Sequence, residues 1–253
     1  MKKHFSPLVY GFLFLVAFGL AAVPVRGDTN DYAGTRWTLV DTGQVLTAAA
    51  AITPAAFPDC DTAIVEQHSV RVYRADGTGE AQDETYEKVL TEKGRRANRT
   101  LALSFMLPYS TVQVVRLEVV KPGGAVEPVD VAANSKEAID ESQVAMNIYD
   151  PNSKVLQVNL PKLEIGDVVH SVTRTTTERA YIPGQFAEET VLEGSGFIRH
   201  LAYEVYAPAD RPLQRVALRD EIPGTVRYAA QTNTDGAVTH RWEAVNVPRV
   251  GTP

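Results

Sequence analysis

The five histidines are the residues of this sequence with the most versatile chemistry near neutral pH, because imidazole can bind metals and transfer protons. They stand at positions 4, 68, 170, 200 and 240, and no two lie two or four residues apart, the spacings that put two ring nitrogens on one face of a strand or helix. The spacing therefore predicts no zinc motif. We interpret His68, His170, His200 and His240 as strand residues at a sheet surface or edge; spacing alone does not say whether the fold brings them together.

Cys60 is the only cysteine, so the chain can form neither an internal disulfide nor a dithiol redox pair. Its neighbours Asp59 and Asp61 disfavour the thiolate that a cysteine nucleophile needs, whereas a nearby cation or helix N-terminus would favour it. We expect Cys60 to be a packing or surface thiol.

Other catalytic patterns are absent from the sequence. It contains no Gly-x-Ser-x-Gly elbow, and no glycine-rich phosphate loop follows a predicted strand. The acidic pairs Asp59/Asp61 and Glu188/Glu189 lack the oxygen-rich spacing of a calcium loop, so we interpret them as solvated acids. The residues predict no catalytic, cofactor-binding or metal-binding site, and we expect that this chain is not an enzyme.

The N-terminus has the layout of a secretory signal peptide. A basic start at residues 2–4 precedes an uncharged apolar run at 8–23, which Pro24 ends. This run is shorter than the about 20 residues of a membrane-spanning helix, so no span is expected after cleavage. We predict a signal peptide at 1–27, with a rival cleavage point near residue 22, and an exported chain that is periplasmic or secreted.

The charge balance disfavours nucleic acid as a partner. The 253 residues include 25 basic and 31 acidic side chains, and removal of 1–27 deletes three basic residues and no acid, which leaves 22 against 31, a net charge of −9. The basic residues form no stripe that could follow a phosphate backbone.

The elements that must position any site are predicted to be strands. From residue 62 onward, short runs rich in Val, Thr, Tyr and Leu are separated by turn residues at intervals of roughly 8 to 15 residues. The alternating run 62–73 ends in an Ala-Asp-Gly turn and predicts a hairpin with a return strand at 82–91, although 82–91 also fits a helix face. The other predicted strands are 35–40, 101–106, 111–121, 154–160, 167–176, 197–207, 213–218, 225–231 and 237–245.

Helices are few in this pattern. A short helix is indicated at 47–52, and one helical turn after residue 134 or 135 interrupts a polar surface excursion at 132–147. No strand alternates with a long amphipathic helix, which favours an all-β fold, an antiparallel β-sandwich, over a doubly wound parallel sheet. We assign 28–56 to a poorly defined N-terminal segment or linker, 57–247 to the β-sandwich domain and 248–253 to the start of a linker.

Alternation along 111–121 makes a specific prediction about burial. Val115, Leu117 and Val119 should share one buried face, while Arg116 and Glu118 point to solvent, because successive side chains of a strand lie on opposite sides of the sheet.

Several strand and turn segments together carry a family resemblance. They are FPDCDTA at 57–63, VLTEKG at 89–94, VKPGG at 120–124, YD at 149–150, VLQVNLP at 155–161, IGDVV at 165–169, PGQF at 183–186 and VYAP at 205–208. In order and spacing they resemble the domain of unknown function 3857, over about residues 55 to 245.

This resemblance implies a β-sandwich and makes 82–91 a strand. Members of that family stand before transglutaminase-like domains in exported bacterial proteins, and the Cys-His-Asp triad lies in the downstream domain, so it implies no catalytic residue here. Cys60 replaces a residue that is usually small, and His170 one that is commonly acidic or aromatic, so neither inherits a role.

Two functions of different classes follow from the sequence. The first is an exported noncatalytic module, the N-terminal accessory domain of a transglutaminase-like or cysteine-peptidase-like protein, with that catalytic domain as its partner in cis. The alternative is a stand-alone envelope module that binds protein or glycan, for which Tyr109, Tyr149 and Tyr181 in loops would supply contact area. Neither function requires a cofactor.

Overall fold

The computed structural model describes residues 29–32, 35–141, 149–219 and 222–250, with side chains from residue 38 onward. The predicted signal peptide lies outside the described residues. Within these ranges, no helix combines the length and the apolar character needed to cross a membrane.

The elements are mostly strands, in agreement with the all-β prediction. In chain order they are β1 (Thr29–Tyr32), β2 (Thr35–Thr38), α1 (Thr42–Ala51), β3 (Thr62–Tyr73), β4 (Gly79–Val89), α2 (Glu92–Ala97), β5 (Thr100–Met106), β6 (Ser110–Val120), β7 (Val126–Pro128), α3 (Val131–Asn134), β8 (Ser135–Ile139), β9 (Ser153–Asn159), β10 (Val168–Thr177), β11 (Phe197–Ala207), β12 (Val226–Thr232) and β13 (Val238–Val247).

One large sheet and one small sheet organise the fold. The large sheet has the strand order β12-β13-β11-β3-β4-β10-β6-β7, and the small sheet has the order β5-β9-β8; β1 and β2 form a separate two-stranded sheet. All pairs are antiparallel except β11 with β3, which is parallel. The sandwich prediction is confirmed, with one parallel pair that the sequence did not indicate.

The two faces of the large sheet are covered differently. Leu117 and Val119 of β6 pack against the small sheet through Val158 and its neighbours, whereas the adjacent Val120 packs with Val45 of α1. Because adjacent strand residues point to opposite faces, the small sheet and α1 lie on opposite sides of the large sheet. We call the side covered by α1 the helix face.

Helix α1 begins five residues before the predicted helix. Asp41 is its N-cap, and its carboxylate accepts a hydrogen bond from the Gln44 backbone N–H at 2.9 Å. At the other end, the Lys88 ammonium donates to the Ala49 carbonyl at 2.7 Å and fixes the helix to β4. Although α1 precedes the predicted domain at 57–247, it is therefore packed into the same core.

The return strand of the first hairpin is confirmed as β4, so the helix alternative for 82–91 is wrong. Two other expectations also fail. Residues 213–218 form no strand, since Val216 and Leu218 stay exposed and no neighbouring strand pairs with them. In the predicted excursion 132–147, the helical turn is α3, which ends at Asn134, and Ser135–Ile139 is strand β8 of the small sheet.

The burial prediction for β6 is only partly right. Leu117 and Val119 are each 3% exposed, but Val115 is 39% exposed because the pairing of β6 with β10 shifts register at this point. The shift separates Val115 from the face of Leu117. Glu118 lies on the helix face and contacts a buried histidine, so the expectation that it points to solvent is wrong.

Candidate functional site

Imidazoles and carboxylates form a row across the helix face of the large sheet. Glu66 pairs with Tyr86 across β3 and β4, Tyr86 pairs with His170, and His170 pairs with Glu118, so all four share this face. We call the row the histidine–carboxylate band; its members are Glu66, His68, Glu84, Glu118, His170, His200, Glu204 and Glu243.

His170 is the buried centre of the band. It is 0% exposed, its Nδ1 lies 2.7 Å from a Glu118 oxygen, and its Nε2 lies 3.1 Å from a Glu84 oxygen. Each ring nitrogen thus has a carboxylate partner inside the protein. The ring also stacks on Tyr86 with a centroid separation of 3.9 Å. His170 therefore joins β4, β10 and β6 inside the protein.

This buried network continues to the segment that carries α1. The second Glu84 oxygen accepts from the Val40 backbone N–H at 2.9 Å, and the Tyr86 hydroxyl lies 2.8 Å from the Thr42 hydroxyl. Burial raises the pKa of Tyr86, so the phenol stays protonated at neutral pH. The segment before α1 is therefore tied to β4 through both Glu84 and Tyr86.

His200 repeats the arrangement at a position where its side chain is 22% exposed. Its Nδ1 is hydrogen-bonded to Glu66, and its Nε2 lies 3.0 Å from a Glu243 oxygen. The second Glu66 oxygen accepts from the Arg199 guanidinium at 2.7 Å. The hydrogen bond to Glu66, supported by Glu243, raises the pKa of His200 against the opposing effect of burial. The cationic form of His200 is therefore favoured between two carboxylates.

The third histidine of the band is less tightly bound. His68 Nε2 lies 3.7 Å from a Glu204 oxygen, and the same carboxylate is paired with Arg241. Burial raises the pKa of Glu204, but the nearby His68 and Arg241 side chains outweigh it, and the net shift is downward. In the part of the chain that the structure describes, no group of three or more His, Cys, Asp or Glu is arranged to hold a metal ion.

We expect His200 to stabilise the fold in a pH-dependent way. Because its folded-state pKa lies above the usual 6.5, its contribution is complete below about pH 6.5 and is lost as the pH rises through the folded-state pKa. The difference in free energy of unfolding between wild type and His200→Gln, measured by urea titration, should shrink by up to about 1 kcal/mol between pH 6 and pH 9.

His240 provides a control for which the pH dependence of stability has the opposite sign. Burial lowers its pKa below 6.5, so its neutral form is favoured and the wild-type protein loses stability as the pH falls. The difference between wild type and His240→Gln should therefore grow toward pH 9. A His200→Gln difference that stays constant or grows with pH would contradict the assignment of His200 as a cation.

The other candidate residues have structural environments. Cys60 is buried in the core cluster with Val45 and Leu90, which confirms a packing thiol. Asp61 accepts from Lys93 and Thr91, both at 2.7 Å, and Glu188 accepts from Arg71 at 2.8 Å. The side chains of Asp61 and Glu188 are nevertheless 39% and 30% exposed, so these paired acids remain at the solvated surface, in agreement with their interpretation as solvated acids.

Exposed aromatic residues gather at one end of the sheet. Tyr109 and Tyr181 stack with a centroid separation of 4.2 Å, and Tyr181, Tyr149 and Ile182 are 65%, 65% and 57% exposed. The Leu107 backbone N–H donates to the Asn152 carbonyl at 3.0 Å, which ties the loop of Tyr109 to the loop that follows Tyr149. We call Tyr109, Tyr149, Tyr181 and Ile182 the aromatic patch.

The segments that carried the family resemblance are joined by contacts around Asp61. The Leu90 backbone N–H donates to the Asp61 carbonyl at 3.0 Å, and a Cβ atom on Gly94 would lie 2.1 Å from that carbonyl oxygen. Only glycine fits at position 94, so the FPDCD segment can pack this closely against the TEKG segment only with glycine at that position. The sequence profile of the Domain of Unknown Function family DUF3857, which has a solved structure, matches residues 75–250. The chain belongs to the DUF3857 family.

Comparison with solved structures supports the fold of this DUF3857 chain. A protein of Parabacteroides distasonis named "putative protease" superimposes with a TM-score of 0.61 at 13% sequence identity, over 76% of this chain and 37% of its own length. This chain thus spans little more than a third of that protein. A CBM3a-L domain from a Clostridium thermocellum scaffoldin gives a TM-score of only 0.28 at 12% identity, over 53% of this chain and 81% of its own. A search of curated protein sequences found no match.

Proposed function

We propose that this DUF3857 chain is an exported, noncatalytic module that serves as the N-terminal accessory domain of a transglutaminase-like or cysteine-peptidase-like protein. The observation that carries the proposal is the fold shared with the Parabacteroides distasonis protein, of which this fold accounts for 37%. The remainder of such a protein has room for a catalytic domain. The partner of this module would then be that domain in cis.

The chemistry of the described residues supports a noncatalytic role. Catalysis by a thiol requires an accessible thiolate beside a base, whereas Cys60 is 5% exposed and packs among aliphatic side chains. The histidines with carboxylate partners are held between strands, with His170 fully buried. These groups link neighbouring strands and so stabilise the sheet, which in turn positions the exposed residues.

The aromatic patch is the surface that we assign to partner contact. Tyrosine offers a large rigid ring at a low cost in conformational entropy, and such rings are enriched in interfaces. Stacking of Tyr109 on Tyr181 fixes the orientation of both rings before a partner arrives. The same patch is the observation that favours the alternative function, a stand-alone module that binds protein or glycan.

Assays of amide hydrolysis and amide transfer test the noncatalytic role. The purified chain should release no ammonia from a glutamine-containing peptide, form no hydroxamate with hydroxylamine and hydrolyse no unstructured protein, above the rate in buffer. Cys60→Ala, which removes the thiol without burying a hydroxyl, should behave identically. Turnover that disappears in Cys60→Ala would overturn the proposal.

The coding sequence beyond the codon for Pro253 separates the two functions. A continuing frame with Cys, His and Asp at transglutaminase-like spacing supports the accessory domain. A stop codon directly after Pro253 contradicts it and favours the stand-alone binding module.

A further inference from the structure

Strand β12 is an open edge of the large sheet. In the described part of the chain it pairs only with β13, and residues 227–232 are exposed. Sheet edges usually carry proline, lysine, a bulge or a short strand, which prevents pairing with other chains. The opposite edge follows this rule, since β7 has three residues and ends at Pro128. Strand β12 has seven residues, no proline and no register shift, and Arg227 is its one charged residue.

The hydrogen-bond pattern shows which backbone groups of β12 are available. The Val245 N–H donates to the Thr225 carbonyl, and the Asn233 N–H donates to the Ala237 carbonyl. Hydrogen-bonded and non-hydrogen-bonded pairs alternate along an antiparallel ladder, so the odd-numbered residues between these two pairs point their backbone groups toward β13. The even-numbered residues point theirs away from β13; they are Val226, Tyr228, Ala230 and Thr232.

The sequence of β12 complements itself when two copies run antiparallel. A two-fold axis at Ala229 places Tyr228 opposite Ala230, Val226 opposite Thr232, and Arg227 opposite Gln231 of the second copy. A large ring thus faces a small side chain, and a cation faces an amide oxygen rather than another cation. This register uses the whole strand, and the outward groups of its even-numbered residues would form about eight hydrogen bonds between the copies.

The aromatic residues beside this edge are already ordered. The Tyr228 ring lies 5.1 Å from the Trp242 ring, and its hydroxyl lies 2.8 Å from His240 Nδ1. Tyr228 is 46% exposed in the single chain. Pairing at the edge would cover part of this exposed ring without rearranging its neighbours.

We propose that β12 is a self-association edge, through which two copies of this chain pair antiparallel about Ala229 and join their large sheets into one. The interface is small, so the dimer is reversible and depends on concentration. This proposal does not depend on the accessory-domain function, because it rests only on the edge strand and its sequence.

Substitutions at Gln231 test the register on the full chain. Gln231→Glu places a carboxylate opposite Arg227 twice in each dimer, and Gln231→Lys places two cations opposite each other twice. Each cross-strand charge pair changes the free energy of strand pairing by about 0.2 to 1 kcal/mol, and each dimer contains two such pairs. The dimer dissociation constant should therefore fall about two- to thirtyfold for Gln231→Glu and rise by a similar factor for Gln231→Lys. The double variant Arg227→Glu with Gln231→Lys should restore the tighter value.

Ala230→Pro tests the edge itself. It removes an N–H that points away from β13, so the monomer should keep its fold, as checked by circular dichroism, and the dimer should disappear. Sedimentation velocity from about 1 to 200 µM gives the dissociation constants. If wild type and Gln231→Glu are monomeric over this range, or if a dimer is unaffected by the Gln231 variants, the proposal is overturned. A dimer that survives in a folded Ala230→Pro variant uses another surface and overturns it as well.

Discussion

Replacement of His170 with alanine should lower the free energy of unfolding by about 3 to 5 kcal/mol, a large part of the stability of a typical domain. The change removes the ring that joins the carboxylates of Glu84 and Glu118, of which Glu84 is 2% exposed. It also leaves a cavity beneath the ring of Tyr86. Both effects are destabilising. A buried carboxylate that has lost its partner is no longer compensated for its lost hydration, and the atoms around a cavity lose packing contacts.

Urea unfolding at neutral pH, with the slope of the transition monitored for two-state behaviour, measures this loss. His200→Ala is the matched control, because the same Glu-His-Glu arrangement at a position where the histidine side chain is 22% exposed should cost only about 1 kcal/mol. Equal, small losses for the two variants would show that His170 is not the centre of a buried ionic network.

The strands that were easiest to predict are runs rich in β-branched and aromatic residues that turn residues bound on both sides. Strands β3 and β11 have the predicted bounds, 62–73 and 197–207. The prediction failed where tertiary contacts decide the outcome. Residues 213–218 were predicted as a strand but pair with no strand in the described part of the chain, while the charged segment Ser135–Ile139 becomes a strand because β9 offers its edge.

The histidine–carboxylate band was missed for a related reason. His170 meets Glu84 and Glu118 from 86 and 52 residues away, and only the register of three strands brings them together. A local signal existed, since Glu66 and His68 lie two apart on a predicted strand and must share a face. That signal indicates a polar stripe on a sheet but does not identify the groups on neighbouring strands.

Strand β6 shows that a β-bulge can break the alternation of faces within a strand. Simple alternation groups Val115 with Leu117 and Val119, whereas the register shift of β6 against β10 leaves Val115 outside the cluster that contains Leu117 and Val158. A bulge adds one residue to one strand and so reverses the faces on one side of it. Nothing in the local sequence marks this position, because the need for the bulge arises from the pairing with β10.

Leu117→Asp should therefore be among the most damaging single changes, with a loss of about 4 to 5 kcal/mol, while Val115→Asp should change the free energy of unfolding by less than about 1 kcal/mol. Leu117 is 3% exposed between the two sheets, so the aspartate would lose water and find no partner there. Val115 is 39% exposed, so a carboxylate at that position stays hydrated. Both variants replace an aliphatic side chain with an aspartate, and their thermal melts and urea midpoints give the comparison. Similar losses at both positions would mean that β6 alternates without a bulge and that the small sheet covers a different set of residues.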